Sequence, residues 1–541
     1  MSKVAAYLQE HIQGEVSTGA AALAAVSTDM SVLEITPEII VHPRVTSDIR
    51  KVARFAWQLA EKGHVLPLTP RGCGTDQTGG AIGKGISIVL SSHMNHTFEL
   101  DAKQKLVRLQ PGVHARSLND ALQLQGLFVP PFMDASGTAG GMVGKDGGSV
   151  LSGKYGSTRS WVGQLEVVLA NGDILQTERI NKRELNRRKG MQTFEGEIYR
   201  TIDGLITDNQ QLIDEKITSD IKDNVGYSSI AEVKQKDGSF DLTPLFLGSQ
   251  GTLGIISEMI LKAEFKSAHQ AAAVLTFANS EGARDAADQL RALEPTFLEY
   301  LDGSLFEIAA ARGKTYDFYK QSEFIPQAAV LVGFDAFSDR HNLKNLKRIE
   351  KIFTTDDVQV TLATGEEADE LLAVRTVSSF AANPATKGAS APPLFDGAYV
   401  PPERFEEFTS AVTALAAKHS TTLPIHYRVL EGLVFTRPTL HLHKVGDKQK
   451  VFKLLDEYAT LVDQFGGHLI ADGSEGRTKA SFAYKQLDPD VLELFAVIKS
   501  VFDPYGILNP GVKQPSELRQ LVSALRSDYS PVRTSISPVY F

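Results

Sequence analysis

Two glycine-rich segments, each flanked by strand-like residues, constrain this chain more than any other feature. The first runs Thr69-Pro70-Arg71-Gly72-Cys73-Gly74-Thr75 and on to Gly79, Gly80, Gly83 and Gly85; the second spans Gly137 to Gly156. Glycine adopts backbone angles closed to other residues and lets main chain approach a ligand closely. Consecutive N–H groups in such a loop form a nest for phosphate. A nucleotide cofactor is the natural ligand. Neither segment is a Walker A loop: Gly83-Lys84 is followed by Gly85, Gly144-Lys145 by Asp146, and the glycine five positions before each pair is absent. Gly72-Cys73-Gly74 lacks the third glycine of a dinucleotide fingerprint and leads into more strand rather than a helix, which excludes a Rossmann reading.

The flanking sequence supplies β–α units and hairpins. Ile39-Ile40-Val41 reads as a strand. Thr46 or Ser47 then opens a helix that Gly63 ends, with Ile49, Val52, Ala53, Ala56, Leu59 and Ala60 on one face. Val65–Leu68 and Ile86–Leu90 read as further strands, and Thr97–Leu100 with Lys105–Leu109 as a hairpin followed by a helix over Ser117–Gly126. Leu165–Ala170 meets Asp173–Thr177 across Asn171-Gly172, where both turn residues accept φ > 0. Residues 181–240 are charged and helical or loop-like, and Phe246–Leu261 returns to strand character. Near residue 265 the pattern shifts to a helix near Ser280–Leu293, strands near Ala328–Phe334 and a helix near Arg340–Phe353, the best domain boundary.

At 541 residues the chain calls for several domains. Its 42% apolar and 22% charged residues are ordinary globular values, and 56 Lys plus Arg against 65 Asp plus Glu argue against a nucleic-acid partner. Cys73 is the only cysteine, which excludes an intrachain disulfide framework and a cysteine-ligated cluster carried by this chain alone. Met1–Ala25 lacks the apolar core of a signal peptide, and no run approaches the roughly 20 apolar residues of a membrane span. The expectation is a cytoplasmic protein, with peripheral docking to a membrane left open.

Six motifs then occur in order: Pro70-Arg71-Gly72-Cys73-Gly74-Thr75, Gln110-Pro111-Gly112-Val113, Thr138-Ala139-Gly140-Gly141, Lys154-Tyr155-Gly156-Ser157-Thr158, Leu247-Gly248-Ser249-Gln250-Gly251-Thr252-Leu253-Gly254-Ile255-Ile256 and Phe502-Asp503-Pro504-Tyr505-Gly506-Ile507-Leu508-Asn509-Pro510-Gly511. Together, over about Ile35 to Lys513, they closely resemble the vanillyl-alcohol oxidase/p-cresol methylhydroxylase flavoprotein superfamily, in the branch of FAD-linked D-lactate dehydrogenases and the glycolate oxidase flavoprotein subunit. The resemblance implies an α+β fold. An N-terminal helical segment (1–34) precedes a two-part FAD-binding domain (35–265), and an α+β cap domain with an antiparallel sheet (266–513) returns at its end to the flavin; 514–541 form a tail. Carried over residue by residue, Pro70 and Arg71, then Gly72, Cys73, Gly74, Thr75 and Asp76, match the first pyrophosphate loop. Pro111 and Gly112 follow, then Thr138, Gly140 and Gly141 as the second loop, and Gly156. Gly251, Thr252, Gly254, Ile255 and Ile256 match the strand entry lining the cofactor, with Leu253 and Ile255 suited to a ring face, and Asn509 matches the asparagine near the flavin. Cys73, where the family has Gly or Ala, reads as a small buried residue, a covalent flavin link being the minor reading.

In the cap the family carries a Gly-His-Ala-Gly-Asp-Gly-Asn-Leu-His type segment and a Gly-Glu-His-Gly segment, supplying metal ligands and a base. Here the first reads Ile425-His426-Tyr427-Arg428-Val429-Leu430-Glu431-Gly432-Leu433, and the second places Asp472 at the Glu position and Gly473 at the His position. No metal site is expected. Arg375 as carboxylate clamp, His426 and Glu475 are the expected catalytic residues. His441 and His443, two apart on an expected strand, read as a hydrogen-bonded or exposed pair. The resemblance therefore implies an FAD-dependent oxidoreductase acting on a small hydroxy acid, D-lactate or glycolate-like, by hydride transfer to flavin N5. A separate protein or quinone would take the electrons, and a homo-oligomer is open. The alternatives are a non-catalytic FAD-binding subunit of a larger complex and a sugar or lactone oxidase with another base.

Overall fold

The β–α unit predicted at Ile39 opens the first sheet. In the computed structural model, which describes residues 3–133, 135–217, 223–381, 387–527 and 529, strands β1 (Glu15–Ser17), β2 (Ile39–His42), β3 (Leu68–Arg71) and β4 (Ile86–Val89) lie in the order β1-β2-β4-β3. β2 and β3 each pair in parallel with β4. The helix Thr46–Ala60 buries Ile49, Val52, Ala53, Ala56 and Ala60 against this sheet, an i, i+3, i+4 stripe. Buried Asp48 locks its entry by accepting from Gln13 N (2.9 Å) and Arg44 N (3.0 Å). The second strand starts at Leu68 rather than Val65.

The second sheet is antiparallel: β5 (Thr97–Asp101), β6 (Leu106–Leu109), β8 (Val162–Val168), β9 (Ile174–Thr177) and β10 (Ile255–Lys262) run in the order β5-β6-β10-β8-β9. Short β7 (Leu127–Phe128) pairs with β11 (Glu264–Phe265). The hairpin turn at Asn171-Gly172 forms as predicted, with Gly172 at φ +82°. Strand character returns only at Ile255, because Gly248–Gly254 is a loop.

The cap carries a seven-stranded sheet, β15-β12-β14-β13-β17-β18-β16, antiparallel throughout: β12 (Ala271–Phe277), β13 (Phe297–Asp302), β14 (Ala328–Phe334), β15 (Val358–Thr364), β16 (Ala398–Tyr399), β17 (His426–Arg428) and β18 (Leu433–Phe435). β12 and β14 are buried on both faces and read as continuous apolar runs. Helices such as Ser280–Arg291 and Asp339–Ile352 cover it with buried Ala and Leu/Ile stripes.

The chain then comes back to the first sheet. Asp503 accepts from Ile507 N (2.9 Å) and Leu508 N (2.8 Å), which shapes the Asp-Pro-Tyr-Gly turn, and Leu508 bridges Leu68 in parallel. The N-terminal expectation needs correcting. Residues 1–34 are not only helical, since Val16 and its neighbours add β1 to the sheet beside β2. Within the expected tail, residues 514–527 carry helix Leu518–Ser523, which leads to Leu525, bridging Leu33. The rest of the expected tail, 528 and 530–541, lies outside the described residues.

Candidate active site

β3 ends at Arg71 and the chain turns through Gly72–Gln77. Among the described residues, no protein acceptor takes a hydrogen bond from the amides of Gly72, Cys73, Gly74, Thr75, Asp76 or Gln77. Six successive free donors around a cleft suit an anion with several oxygens. Asp76 folds the far side of the loop by accepting from Thr78 N (2.9 Å) and Gly80 N (2.7 Å). A Cβ on Gly74, at φ +78°, would collide with the Arg71 guanidinium. That guanidinium is itself committed: it donates to Thr28 O (2.9 Å) and Ala81 O (3.1 Å), so Arg71 clamps the N-terminal segment to the loop.

The second loop forms the opposite wall. Thr138 opens helix Ala139–Lys145, and the first amides of that helix are already used, Ala139 N by Val113 O and Gly140 N by Pro111 O, both at 2.8 Å. Pro70, Gly72, Leu90, Pro111, Gly141 and Ile256 border the cleft between the walls. Alternation along β10 decides which neighbours reach it: Ile256 faces the cleft, whereas Ile255 and the preceding Leu253 are in the core, against expectation. Thr252 is also turned inward, bonded to Tyr227 Oη (2.8 Å) and Ser249 O (2.7 Å). Gly112 packs against Leu90 and Met94 main chain, and Gly156 borders a separate cavity. Asn509 does not line the cleft but joins its walls, donating to Gly80 O and Gln250 O, each at 2.8 Å. Cys73, Gly74 and Thr75 border the adjoining cavity of about 190 Å³, where Cys73 Sγ lies 3.5 Å from Ser136 O. The free amides and the apolar Leu90, Pro111 and Ile256 surfaces fit a flavin nucleotide.

That cavity is walled on its cap side by Gln77, Lys145, Val150, Arg428 and Asp472, which also border a third cavity of about 210 Å³ inside the cap. Its lining includes a buried carboxylate from β13, the lone acid within residues 297–301. Glu299 of β13 is fully buried; Arg375 Nε donates to its Oε1 (2.6 Å), and His426 Nε2 lies 2.8 Å from its Oε2. Burial pushes this carboxyl up, but Arg375 and His426 outweigh it and hold its pKa down at about 2. Since the carboxylate only accepts, the ring nitrogen facing it, Nε2, is the donor, and in the neutral tautomer this leaves Nδ1, 3.1 Å from Ser378 Oγ, as the acceptor. Arg375 stacks on Phe297, 3.8 Å from the ring centre, and its buried Nη2 has no hydrogen-bond partner. Arg428 leaves Nε and Nη1 similarly unsatisfied, while Arg437 is paired with Asp396 (2.7 Å).

The structure thus brings Arg375 and His426 together and separates Glu475 from them. Glu475 is fully buried elsewhere, accepting from Gly226 N (2.8 Å), Tyr484 Oη (2.8 Å) and Lys513 Nζ (2.7 Å), so every oxygen is engaged in holding segments together. His441 and His443 are in a turn, not on a strand. Among the described residues no group of three or more His, Cys, Asp or Glu could hold a metal ion. Glu299, Lys145, Gln77 and Gln250 escaped the sequence reading; only Glu299 left a signal, a lone acid inside Phe297-Leu298-Glu299-Tyr300-Leu301.

Residues 37–178 match the FAD binding domain family and residues 266–512 the C-terminal domain of FAD linked oxidases. A D-2-hydroxyglutarate dehydrogenase of Pantoea ananatis is 26% identical over 92% of this chain and 50% of its own length. The chain therefore spans about half the length of such relatives. The glycolate oxidase subunit GlcD of Bacillus subtilis is 26% identical over 91% of this chain and 92% of its own. A D-lactate dehydrogenase of Archaeoglobus fulgidus is 26% identical, covering 87% and 90%. The fold matches 4-ethylphenol oxidase from Gulosibacter chungangensis (TM-score 0.69, 16% identity, 95% and 97% covered) and p-cresol methylhydroxylase (TM-score 0.68, 14%, 94% and 96%).

Proposed function

We propose, for a chain that belongs to the FAD-linked oxidases by both of its domains, that it oxidises a small D-2-hydroxy acid of the D-lactate, glycolate or D-2-hydroxyglutarate class and passes the electrons to a separate acceptor. One observation carries the reading: the cleft of free amides, its neighbouring cavity and a small cationic cap cavity that holds the His426–Glu299 pair lie side by side, all three bordered by Lys145. About 210 Å³ is below the usual range for drug-sized ligands, roughly 300–1,000 Å³, and suits a small acid.

FAD, when bound, supplies the two-electron hydride acceptor. The chain's residues do the rest. Gly72–Gln77 amides hold the pyrophosphate, and Ile256 and Leu90 offer apolar surface. The unsatisfied Nη2 of Arg375 and the Nε and Nη1 of Arg428 are donors aimed at a carboxylate. A substrate hydroxyl that displaces Ser378 Oγ from His426 Nδ1 gives its proton there, and Glu299 stabilises the imidazolium that results. A test is whether a hydroxy acid reduces the bound flavin without oxygen and whether His426→Ala abolishes that reduction while keeping the flavin.

A further inference from the structure

Lys145 ends helix Ala139–Lys145 and, among the described residues, is the one side chain that borders the amide cleft, its neighbouring cavity and the cap cavity alike. Its path depends on Gly473. With φ +84°, Gly473 has no side chain, and a Cβ there would collide with the Lys145 stem. The room left at 473 is the room through which Lys145 reaches the junction. No carboxylate among the described residues pairs with its ammonium.

Arg428 approaches the same junction from β17. It lies two residues after His426, on the same side of the strand, and its guanidinium rests 4.5 Å from the Phe435 ring centre. Its nearest carboxylate oxygen is Asp472 Oδ2, at 3.9 Å, beyond hydrogen-bond reach. Asp472 Oδ1 accepts from Gly148 N (2.8 Å).

The charges around the cap cavity fix what it takes. Lys145, Arg375, Arg428 and Arg437 face Glu299, Asp396 and Asp472, four cations against three carboxylates, a balance of +1. Glu299 is committed to Arg375 and His426, and Asp396 to Arg437. Arg428 has Asp472 Oδ2 at 3.9 Å and the buried Glu431 carboxyl as its acidic neighbours, and Lys145 has no carboxylate partner among the described residues. A divalent metal fits badly here: Asp472 lies beside the Arg428 cation, His426 has both ring nitrogens engaged, and among the described residues no group of three His, Cys, Asp or Glu side chains could hold it.

We propose that Lys145 and Arg428 form a fixed pair of cations that receives the carboxylate and hydroxyl oxygens of the hydroxy acid at the mouth of the cap cavity, without a divalent metal. This rests on the hydroxy-acid reading above. Such a pair supplies positive charge next to the oxygen that loses its proton to His426, with no ion to acquire.

The test is titration of the flavin-bound protein with oxalate, a two-carboxylate acid that cannot be oxidised at a C–H, followed by the shift in the flavin absorbance band. Wild-type protein is expected to bind oxalate with the same Kd before and after dialysis against EDTA. Lys145→Met and Arg428→Met are each expected to weaken binding by about tenfold or more, and Lys145→Arg to keep most of it. Equal binding by wild type and both Met variants would overturn the cation pair. So would loss of binding after EDTA that Zn²⁺ or Mn²⁺ restores, an arm that needs no variant to fold. Wild-type protein that binds no oxalate while its Met variants keep their flavin would instead overturn the hydroxy-acid reading, and the pair with it.

Discussion

His426 Nε2 lies 2.8 Å from Glu299 Oε2, and the other oxygen of that fully buried carboxylate is held by Arg375 Nε at 2.6 Å. A single carboxylate therefore fixes the ring and the guanidinium that face the cap cavity. Glu299→Gln removes the charge that orients His426 and leaves Arg375 unpaired. Flavin reduction should fall by about 10²–10⁴-fold in Glu299→Gln and in His426→Ala, and the double variant should lose little more, because the two act as a unit. Stopped-flow reduction rates check this.

Glu431 gives a pH signature. Its carboxyl is pushed up to about 7, by burial first, with Arg428 opposing and Glu299 and Asp472 adding to the rise. Its Oε1 has no hydrogen-bond partner. A carboxyl whose folded pKa exceeds its unfolded value favours the folded state fully below about pH 4.5, and that contribution is lost as pH rises through 7. Glu431→Gln should therefore raise the thermal midpoint relative to wild type at pH 8, with the advantage shrinking as pH falls toward 5. Glu299 has the opposite sign, because its pKa is held down: its contribution is present above about pH 4.5 and lost as pH falls toward 2.

The buried Glu475–Lys513 pair is a stability element. Their side chains are 0% and 1% exposed, so Lys513→Met leaves an unpaired buried carboxylate at a cost of about 3–5 kcal/mol. The expected result is a lower urea midpoint, with flavin reduction per folded molecule retained at low urea.

How much of this was legible in the sequence follows physical lines. Glycines and Asn-Gly turns carry their conformational needs in their identity, so the loops at 72–77 and 138–141 and the hairpin at 171–172 could be located from residues alone. Which side of a strand faces a cleft depends on register, and of the two expected neighbours Ile255 and Ile256 only Ile256 borders the cleft, Ile255 being in the core. Lys145 could not be singled out, because its position depends on the absence of a side chain 328 residues later, at Gly473. Glu475 misled because a buried acid with Tyr484 and Lys513 as partners has the same sequence appearance as a catalytic one.

Gly74→Ala tests the amide cleft. A left-handed non-glycine residue costs about 1–2 kcal/mol, and the new methyl displaces Arg71 from Thr28 and Ala81. The ratio of flavin to protein absorbance in purified Gly74→Ala should drop well below that of wild type, and acid precipitation of wild type should release the flavin, since Cys73 needs no bond to it.

The central claim is hydroxy-acid oxidation on the flavin held by these loops. The most direct measurement is the visible spectrum of the purified protein under anaerobic conditions before and after addition of D-lactate, glycolate and D-2-hydroxyglutarate. The account predicts a flavin band that at least one of these acids bleaches and that His426→Ala leaves oxidised. A flavin band that none of the three bleaches would contradict it, in favour of a structural FAD-binding subunit or a sugar-type substrate.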